Sequence, residues 1–277
     1  MTRFLIYLAV FGLSFPVWGQ EKKIDTFKSN SKLLNTSELF AEPARTSTVA
    51  EKRLALVIGN ASYPGASRLM NAVNDAQDVA KSLEEVGFTV MLRTDLDKRG
   101  INQAVKDFGE QLAHYQVGMF YYAGHGVQHN GTNYLVPVDA DPRSEADIAY
   151  ECEPAERIVA KMEEARTRTN IVVLDACRNN PFTRSLSRGG DNKGLASMMA
   201  PQGTYIAYST APGQTAADGS GRNGLYTQAF LRVVRQPNLT IEEVFKQVRI
   251  EVTQKSDRKQ TPWESSSLVG DFYFYRK

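Results

Sequence analysis

The feature that most constrains the fold is an alternation of short apolar runs with segments of helical periodicity. Arg53 to Gly59 is a nearly continuous apolar run, which is typical of a strand buried on both faces of a parallel sheet. Apolar residues at helical spacing follow from Ala76 onward. We expect Asn74 or Asp75 to cap this helix and Gly87 to end it in a left-handed conformation.

The same strand and helix pattern repeats along the chain. Further strands are expected at 88–92, 117–122, 171–174 and 203–209, and helices at 101–112, 158–165, 225–234 and 241–252. This order predicts an α/β fold in which a mostly parallel central sheet carries helices on both faces. Loops at 124–133, 178–202 and 210–223 are too long for simple connections. Each follows the carboxyl end of a predicted strand, where open parallel sheets bind ligands.

The N-terminal segment does not look like part of the fold. A short basic start and an apolar run too short to span a membrane comfortably predict a signal peptide at 1–19. We therefore expect export to the periplasm or the exterior, with no membrane attachment after cleavage. An uncleaved membrane anchor is the alternative. Residues 20–52 are polar and predict a disordered linker or pro-region, which leaves 53–277 as the folded domain.

Charge and cysteine content narrow the possible partners. The net charge is +2, and the basic residues are scattered among acidic ones, so we expect no nucleic-acid partner. Cys152 and Cys177 are the two cysteines of the chain. A disulfide between them is possible in an oxidising compartment, but the surroundings of Cys177 favour another use.

Two reactive side chains come at the ends of two predicted strands. His125 follows the third strand and Cys177 follows the fourth. A thiol needs a base to become a thiolate, and neighbouring parallel strands can hold both side chains across one gap. The N–H groups of Gly126 and Cys177 are then candidate oxyanion donors for acyl transfer. His114 and His129 have poorer contexts and are interpreted as surface residues.

Three sequence strings, taken together, resemble a known catalytic domain. They are Tyr121 to Gly126 (YYAGHG), Asp175 to Phe182 (DACRNNPF), and Leu56 to Asn60 (LVIGN) with a later Asn-Asp-Ala. They resemble caspase-like cysteine peptidases, and the bacterial metacaspase and orthocaspase branch is most similar. The histidine and the cysteine are 52 residues apart, as in a caspase signature with its histidine about 50 residues upstream. The resemblance extends to the C-terminus.

This resemblance implies a caspase-like three-layer sandwich and cysteine endopeptidase activity. It makes His125 and Cys177 the catalytic dyad, with the N–H groups of Gly126 and Cys177 as the oxyanion hole, and it implies no third triad member. It also implies that Asp75 and Asp175 line a pocket for a basic side chain, so that cleavage follows Arg or Lys. Two carboxylates in a partly dry pocket need such a cation. The alternatives are that Asp75 caps a helix and that Asp175 orders the cysteine loop.

Some parts of the chain depart from the family pattern. Arg178 follows the cysteine where many metacaspases have histidine, and Ala211 to Gln214 lacks an acidic residue that several relatives have. Asp218 could supply that charge or be a solvated turn residue. Basic residues in the 184–193 loop suggest self-processing there, against the alternative of ordinary solvated side chains.

Cofactors and other functional classes are also constrained by the sequence. We expect no cofactor and no obligatory metal, although calcium activates some relatives, because the acidic loop residues lack calcium-loop spacing. A non-catalytic scaffold that binds peptides remains the main alternative. Another class of thiol enzyme is disfavoured because there is no Cys-x-x-Cys, and a flavodoxin-like nucleotide binder because no Gly-rich loop follows the first strand.

Overall fold

The computed structural model describes residues 51–176, 182, 194–212, 214 and 221–277. These residues belong to one compact unit. The segments 1–19 and 20–52 lie outside the described residues, apart from 51 and 52, so the signal peptide and linker remain predictions. No helix in the described part of the chain is long and apolar enough to cross a membrane.

Strands and helices alternate through the described residues, largely as expected. The strands are β1 Arg53–Gly59, β2 Phe88–Thr94, β3 Val117–Ala123, β4 Gly126–His129, β5 Thr132–Leu135, β6 Glu153–Pro154, β7 Thr169–Asp175, β8 Thr204–Tyr208 and β9 Trp263–Ser266. The α-helices are α1 Ala72–Glu85, α2 Lys98–Leu112, α3 Ile148–Glu151, α4 Ala155–Glu164, α5 Leu225–Val233 and α6 Ile241–Lys255.

The main sheet has the strand order β2-β1-β3-β7-β8-β9. All neighbouring pairs are parallel except β8 and β9, which confirms the mostly parallel α/β sheet. The strand order reverses at β1, since β2 lies on one side of it and β3 on the other. The carboxyl ends of β1 and β3 therefore flank the crevice in which such sheets bind ligands.

Side chains alternate between two cores on the two faces of the sheet. In β1, Ala55 and Val57 pack on one face with α1, α5 and α6, whereas Leu54, Leu56 and Ile58 pack on the other with α2 and α4. Because both faces are buried, the strand needs apolar residues at consecutive positions. This explains the continuous apolar runs of the sequence.

The predicted 124–133 loop is wrong in part, because it contains a β-hairpin. Strands β4 and β5 pair antiparallel, and β6 extends them into a small sheet. The turn is Asn130-Gly131, in which both residues have positive φ, of 50° and 81°. That combination is what a two-residue type I′ turn requires.

Helix α1 differs from its prediction at one end only. It begins at Ala72 with Asn71 at the N-cap position, so the expectation that Asn74 or Asp75 caps it is wrong. Its other end is as predicted, because Gly87 follows with a φ of +92°, a conformation that glycine adopts without a Cβ penalty.

Candidate active site

The histidine and cysteine of the predicted dyad follow two strands that pair in register. Ala123, the last residue of β3, pairs with Asp175, the last residue of β7. His125 and Cys177 each come two positions after this pair in the sequence. Cys177 itself lies outside the described residues, so its role remains a prediction.

The imidazole of His125 is oriented by a main-chain group. The ring is buried, and its Nε2 lies 2.7 Å from the carbonyl oxygen of Ser67. A carbonyl can only accept a hydrogen bond, so Nε2 carries the proton and donates it. In the neutral ring the basic nitrogen is then Nδ1. The resemblance implied no third triad member, and the Ser67 carbonyl is the group that contacts the imidazole Nε2 here.

Two buried tyrosines hold the backbone of His125 from both sides. The His125 N–H donates to the hydroxyl of Tyr63 at 3.0 Å, and the Tyr122 hydroxyl donates to the His125 carbonyl at 3.0 Å. The two phenols lie 3.2 Å apart, and both approach the carbonyl of Val136. The Tyr63 ring also packs on the imidazole, with centroids 4.5 Å apart. Burial and the neighbouring Tyr63 raise the pKa of Tyr122 well above its usual value.

Glycines let this backbone pack closely against its neighbours. A Cβ on Gly124 would lie 2.5 Å from the Tyr122 hydroxyl, so a side chain there would displace the phenol. A Cβ on Gly126 would lie 2.8 Å from the carbonyl oxygen of Ala176, the residue before Cys177. The chain after β3 therefore contacts the end of the segment that leads to the predicted nucleophile.

The turn that carries Tyr63 is fixed by a carboxylate from the end of β2. Asp95 accepts hydrogen bonds from the N–H groups of Ala61 and Ser62, both at 2.8 Å, and from the Ser62 hydroxyl. Partial burial raises the pKa of Asp95, but these three hydrogen bonds outweigh it and the pKa is lowered overall. These contacts join the loops after β1, β2 and β3 at the carboxyl ends of the strands.

The two predicted pocket carboxylates, Asp75 and Asp175, are both buried. Asp175 Oδ2 accepts from the Thr227 hydroxyl at 2.9 Å, and Thr227 Oγ1 lies 2.6 Å from the hydroxyl of Tyr121. Asp75 Oδ1 accepts from the N–H of Gly224 at 2.9 Å. Burial, then the charges of Asp175 and Asp75, raise the pKa of Tyr121 well above its usual value. Both carboxylates therefore act on one phenol.

The alternative that Asp75 caps α1 is wrong. Asp75 lies inside the first turn, and its carboxylate binds the backbone that enters α5 instead. Thr227, Tyr63 and the Ser67 carbonyl were not identified from the sequence. Threonine and tyrosine are common residue types, and Thr227 and Tyr63 lie far in the sequence from Asp175 and His125, which they contact. A main-chain carbonyl has no sequence signal at all.

Several sequence predictions cannot be placed. The 184–193 loop and Asp218 lie outside the described residues. Cys152, the other half of the disulfide alternative, is a free thiol, and burial raises its pKa to about 12. Within the described part of the chain, no group of three His, Cys, Asp or Glu side chains could hold a metal ion.

A separate surface hollow of about 950 Å³ lies between α2 and α4. Its lining is mainly charged and includes Lys98, Arg157 and Lys161. None of the residues around His125 or Asp175 lines it, so we assign the chemistry to the edge of the sheet and not to this hollow.

Comparison with known proteins points in the same direction. The sequence model of the caspase domain family matches residues 52–273. Human mucosa-associated lymphoid tissue lymphoma translocation protein 1 is 32% identical over 130 residues, which are 47% of this chain and 15% of that protein. Rat caspase-1 is 21% identical over 263 residues, covering 87% of this chain and 63% of that protein. This chain thus spans less than two thirds of the length of either relative.

Proposed function

The chain belongs to the caspase domain family of peptidases, and from this premise we propose that it is a cysteine endopeptidase. Cys177 is the nucleophile and His125 is the general base. Its substrates are peptides or proteins, as the family implies.

The observation that carries the proposal is the orientation of His125. Its Nε2 is committed to the Ser67 carbonyl at 2.7 Å, so the basic nitrogen is Nδ1. The register of β3 and β7 supports the partner, because Cys177 follows β7 at the same offset as His125 follows β3. A base oriented by a third group beside a thiol is the arrangement that nucleophilic catalysis needs.

The proposed reaction proceeds in two steps. His125 Nδ1 takes the proton of the Cys177 thiol, and the sulfur attacks the carbonyl carbon of the scissile bond. The carbon–nitrogen bond breaks as His125 passes the proton to the leaving amine, which leaves a thioester. A water molecule then loses a proton to His125 and attacks the thioester carbon, and the carbon–sulfur bond breaks. His125 returns its proton to the Cys177 sulfur, and the new carboxylic acid leaves and ionises in solvent. The N–H groups of Gly126 and Cys177 stabilise the oxyanion in both steps.

Cleavage after Arg or Lys is the specificity that the carboxylates support best. Asp75 and Asp175 are 0% and 2% exposed, and both act on the Tyr121 phenol. Buried carboxylates attract a cation strongly, and a substrate guanidinium or ammonium is such a cation. An acidic substrate side chain would raise that cost.

Two further elements of the proposal concern residues outside those described. Basic residues in the 184–193 loop make it the proposed site of self-processing. Export through the 1–19 segment is the proposed route to the site of action. Membership of the metacaspase branch, with no obligatory metal, is part of the same proposal.

The test is hydrolysis of fluorogenic peptides that end in Arg, Lys or Asp, with and without calcium. Cys177→Ala and His125→Ala are each expected to lower kcat/KM by about 10³-fold or more. His114→Ala, at an exposed histidine beyond α2, is the matched control and should leave the rate unchanged. Electrophoresis of the active and Cys177→Ala chains after long incubation measures self-processing.

Each outcome has a distinct meaning. Cleavage after Arg or Lys that needs both residues supports the dyad and the pocket together. Cleavage after Asp would retain the dyad and contradict the pocket. A folded chain that cleaves no peptide would favour a peptide-binding scaffold.

A further inference from the structure

A short segment before α5 is fastened to α1 beside the proposed pocket. Asp78 accepts two hydrogen bonds from the guanidinium of Arg222, from Nε at 2.9 Å and from Nη2 at 3.1 Å. It also accepts one from the Asn223 side chain at 2.9 Å. The Asn74 amide donates to the Arg222 carbonyl at 3.3 Å. Bidentate pairs of this kind fix the direction of an arginine as well as its position.

Asp78 and Asp75 lie three residues apart on α1, so their side chains share one face of the helix. They differ in depth, since Asp75 is fully buried whereas the Asp78 side chain is 28% exposed. Arg222 is within electrostatic reach of both. Its pKa is raised by the hydrogen bond and charge of Asp78 and also by the charge of Asp75.

The position of Arg222 creates a problem for an enzyme that binds basic side chains. Its guanidinium is the same group as that of a substrate arginine. Arg222 also lies two residues before Gly224, whose N–H donates to Asp75. A tethered group presents a local concentration on the order of millimolar. Unless it is held elsewhere, Arg222 would compete with the substrate for the carboxylates.

We propose that Asp78 is a specificity-determining residue, because it holds the Arg222 guanidinium beside the pocket of Asp75 and Asp175 and keeps it out. The partly exposed carboxylate of Asp78 binds the Arg222 guanidinium and so keeps it from competing with the substrate cation. This inference rests on the proposed function, in which Asp75 and Asp175 bind Arg or Lys.

The experiment compares Asp78→Ala, Arg222→Gln and the double variant on peptides ending in Arg or Lys. Asp78→Ala is expected to raise KM by about tenfold with kcat little changed, because the freed guanidinium occupies the pocket reversibly. Arg222→Gln should keep KM at or below that of the unmodified chain. The double variant should behave like Arg222→Gln, since the competitor is gone.

A purely structural role for the Asp78–Arg222 pair gives a different pattern. Both single variants lose the same ion pair, so both would raise KM equally and the double variant would not recover. That result overturns the proposal. Asp78→Asn, which retains the side-chain volume, replaces Asp78→Ala if the latter does not fold.

A matched control lies at the other end of the same helix. Glu85 pairs with exposed Arg235 at 2.9 Å, so Glu85→Ala frees an arginine that is not tethered next to Asp75. KM should not change. The unmodified chain separates the two proposals: if it fails to cleave after Arg or Lys, the pocket assignment fails, whereas a wrong pattern among the variants defeats only the role of Asp78.

Discussion

The two ends of the candidate site are held in place by different forces. At the histidine end, neutral and buried groups fix His125, whose main chain lies between the phenols of Tyr63 and Tyr122. At the carboxylate end, charge dominates. Buried Asp75 lies three residues before Asp78 on α1, and Asp78 forms an ion pair with Arg222, which is largely exposed to solvent.

The two ends of the site should therefore respond differently to substitution. A buried neutral donor that loses its partner retains the full desolvation penalty, so the histidine end should tolerate little. Charges near the surface are screened by salt and water, so substitutions at the carboxylate end should have smaller and graded effects. We expect substitutions at the histidine end to lower kcat, and substitutions at the carboxylate end to raise KM.

Tyr63→Phe is the strongest test of the histidine end. It keeps the ring on the imidazole and removes the hydroxyl that accepts the His125 N–H. A buried N–H without a partner costs about 1–3 kcal/mol, so kcat should fall by about 10- to 100-fold while KM changes little. Steady-state kinetics across pH measures this, because a displaced base also alters the pH profile. Tyr150→Phe, at a phenol that is 82% exposed, should have no effect. An unchanged kcat and pH profile in Tyr63→Phe would show that the phenol does not position the histidine.

Thr227→Val tests the carboxylate end with a change of almost equal volume. Its hydroxyl donates to Asp175 and lies next to Tyr121. The loss leaves the carboxylate with one fewer donor, so KM for Arg or Lys peptides should rise by about three- to tenfold, with a smaller effect on kcat. Thr227→Ser retains the hydroxyl and should remain close to the unmodified chain. If kcat falls more than KM rises, the proposed division between the two ends is wrong.

Asp95→Asn is expected to have the smallest effect, and its effect should depend on pH. The pKa of Asp95 is lowered in the folded chain, so its ionised form contributes stability above the unfolded pKa of about 3.9. That contribution is lost as the pH falls below about 4 through the lower folded pKa. Thermal unfolding at several pH values should show a shallower acid loss in Asp95→Asn. Asp95 and Asp257 both have positive φ, of 51° and 50°, so Asp257→Asn controls for the effect of the substitution on the backbone. An unchanged acid slope would mean that Asp95 does not stabilise the Tyr63 turn.

The buried half of the fold could be predicted from sequence because burial dictates composition. Strands such as β1 and β7 need apolar residues on both faces, and helices such as α2 need one apolar stripe. The β9 strand (WESS) lies at the sheet edge with exposed or half-buried side chains, so no apolar pattern marked it. The β4–β5 hairpin was missed for another reason. Its Asn130-Gly131 turn is itself a hairpin signal, but the whole segment was predicted to be a loop.

The candidate site could also be predicted only in part. His125 was placed by its position after an apolar strand, and the Asp175 carboxylate by a family motif. The groups that orient them are a main-chain carbonyl and common hydroxyls, which depend on tertiary contacts and have no local pattern. Asp75 illustrates the limit, since its position suggested a helix cap but its contact is with Gly224, 149 residues away.

The pairing of β3 with β7 also determines when activity can arise during synthesis. The registered ends of the two strands, Ala123 and Asp175, are adjacent in the sheet but 52 residues apart in the chain. Contacts of such separation must first overcome the entropy of closing the loop between them. A nascent chain that has just exposed His125 has not yet made Cys177. The strand ends that precede His125 and Cys177 therefore come side by side only after the intervening segment has been made and β7 has paired with β3.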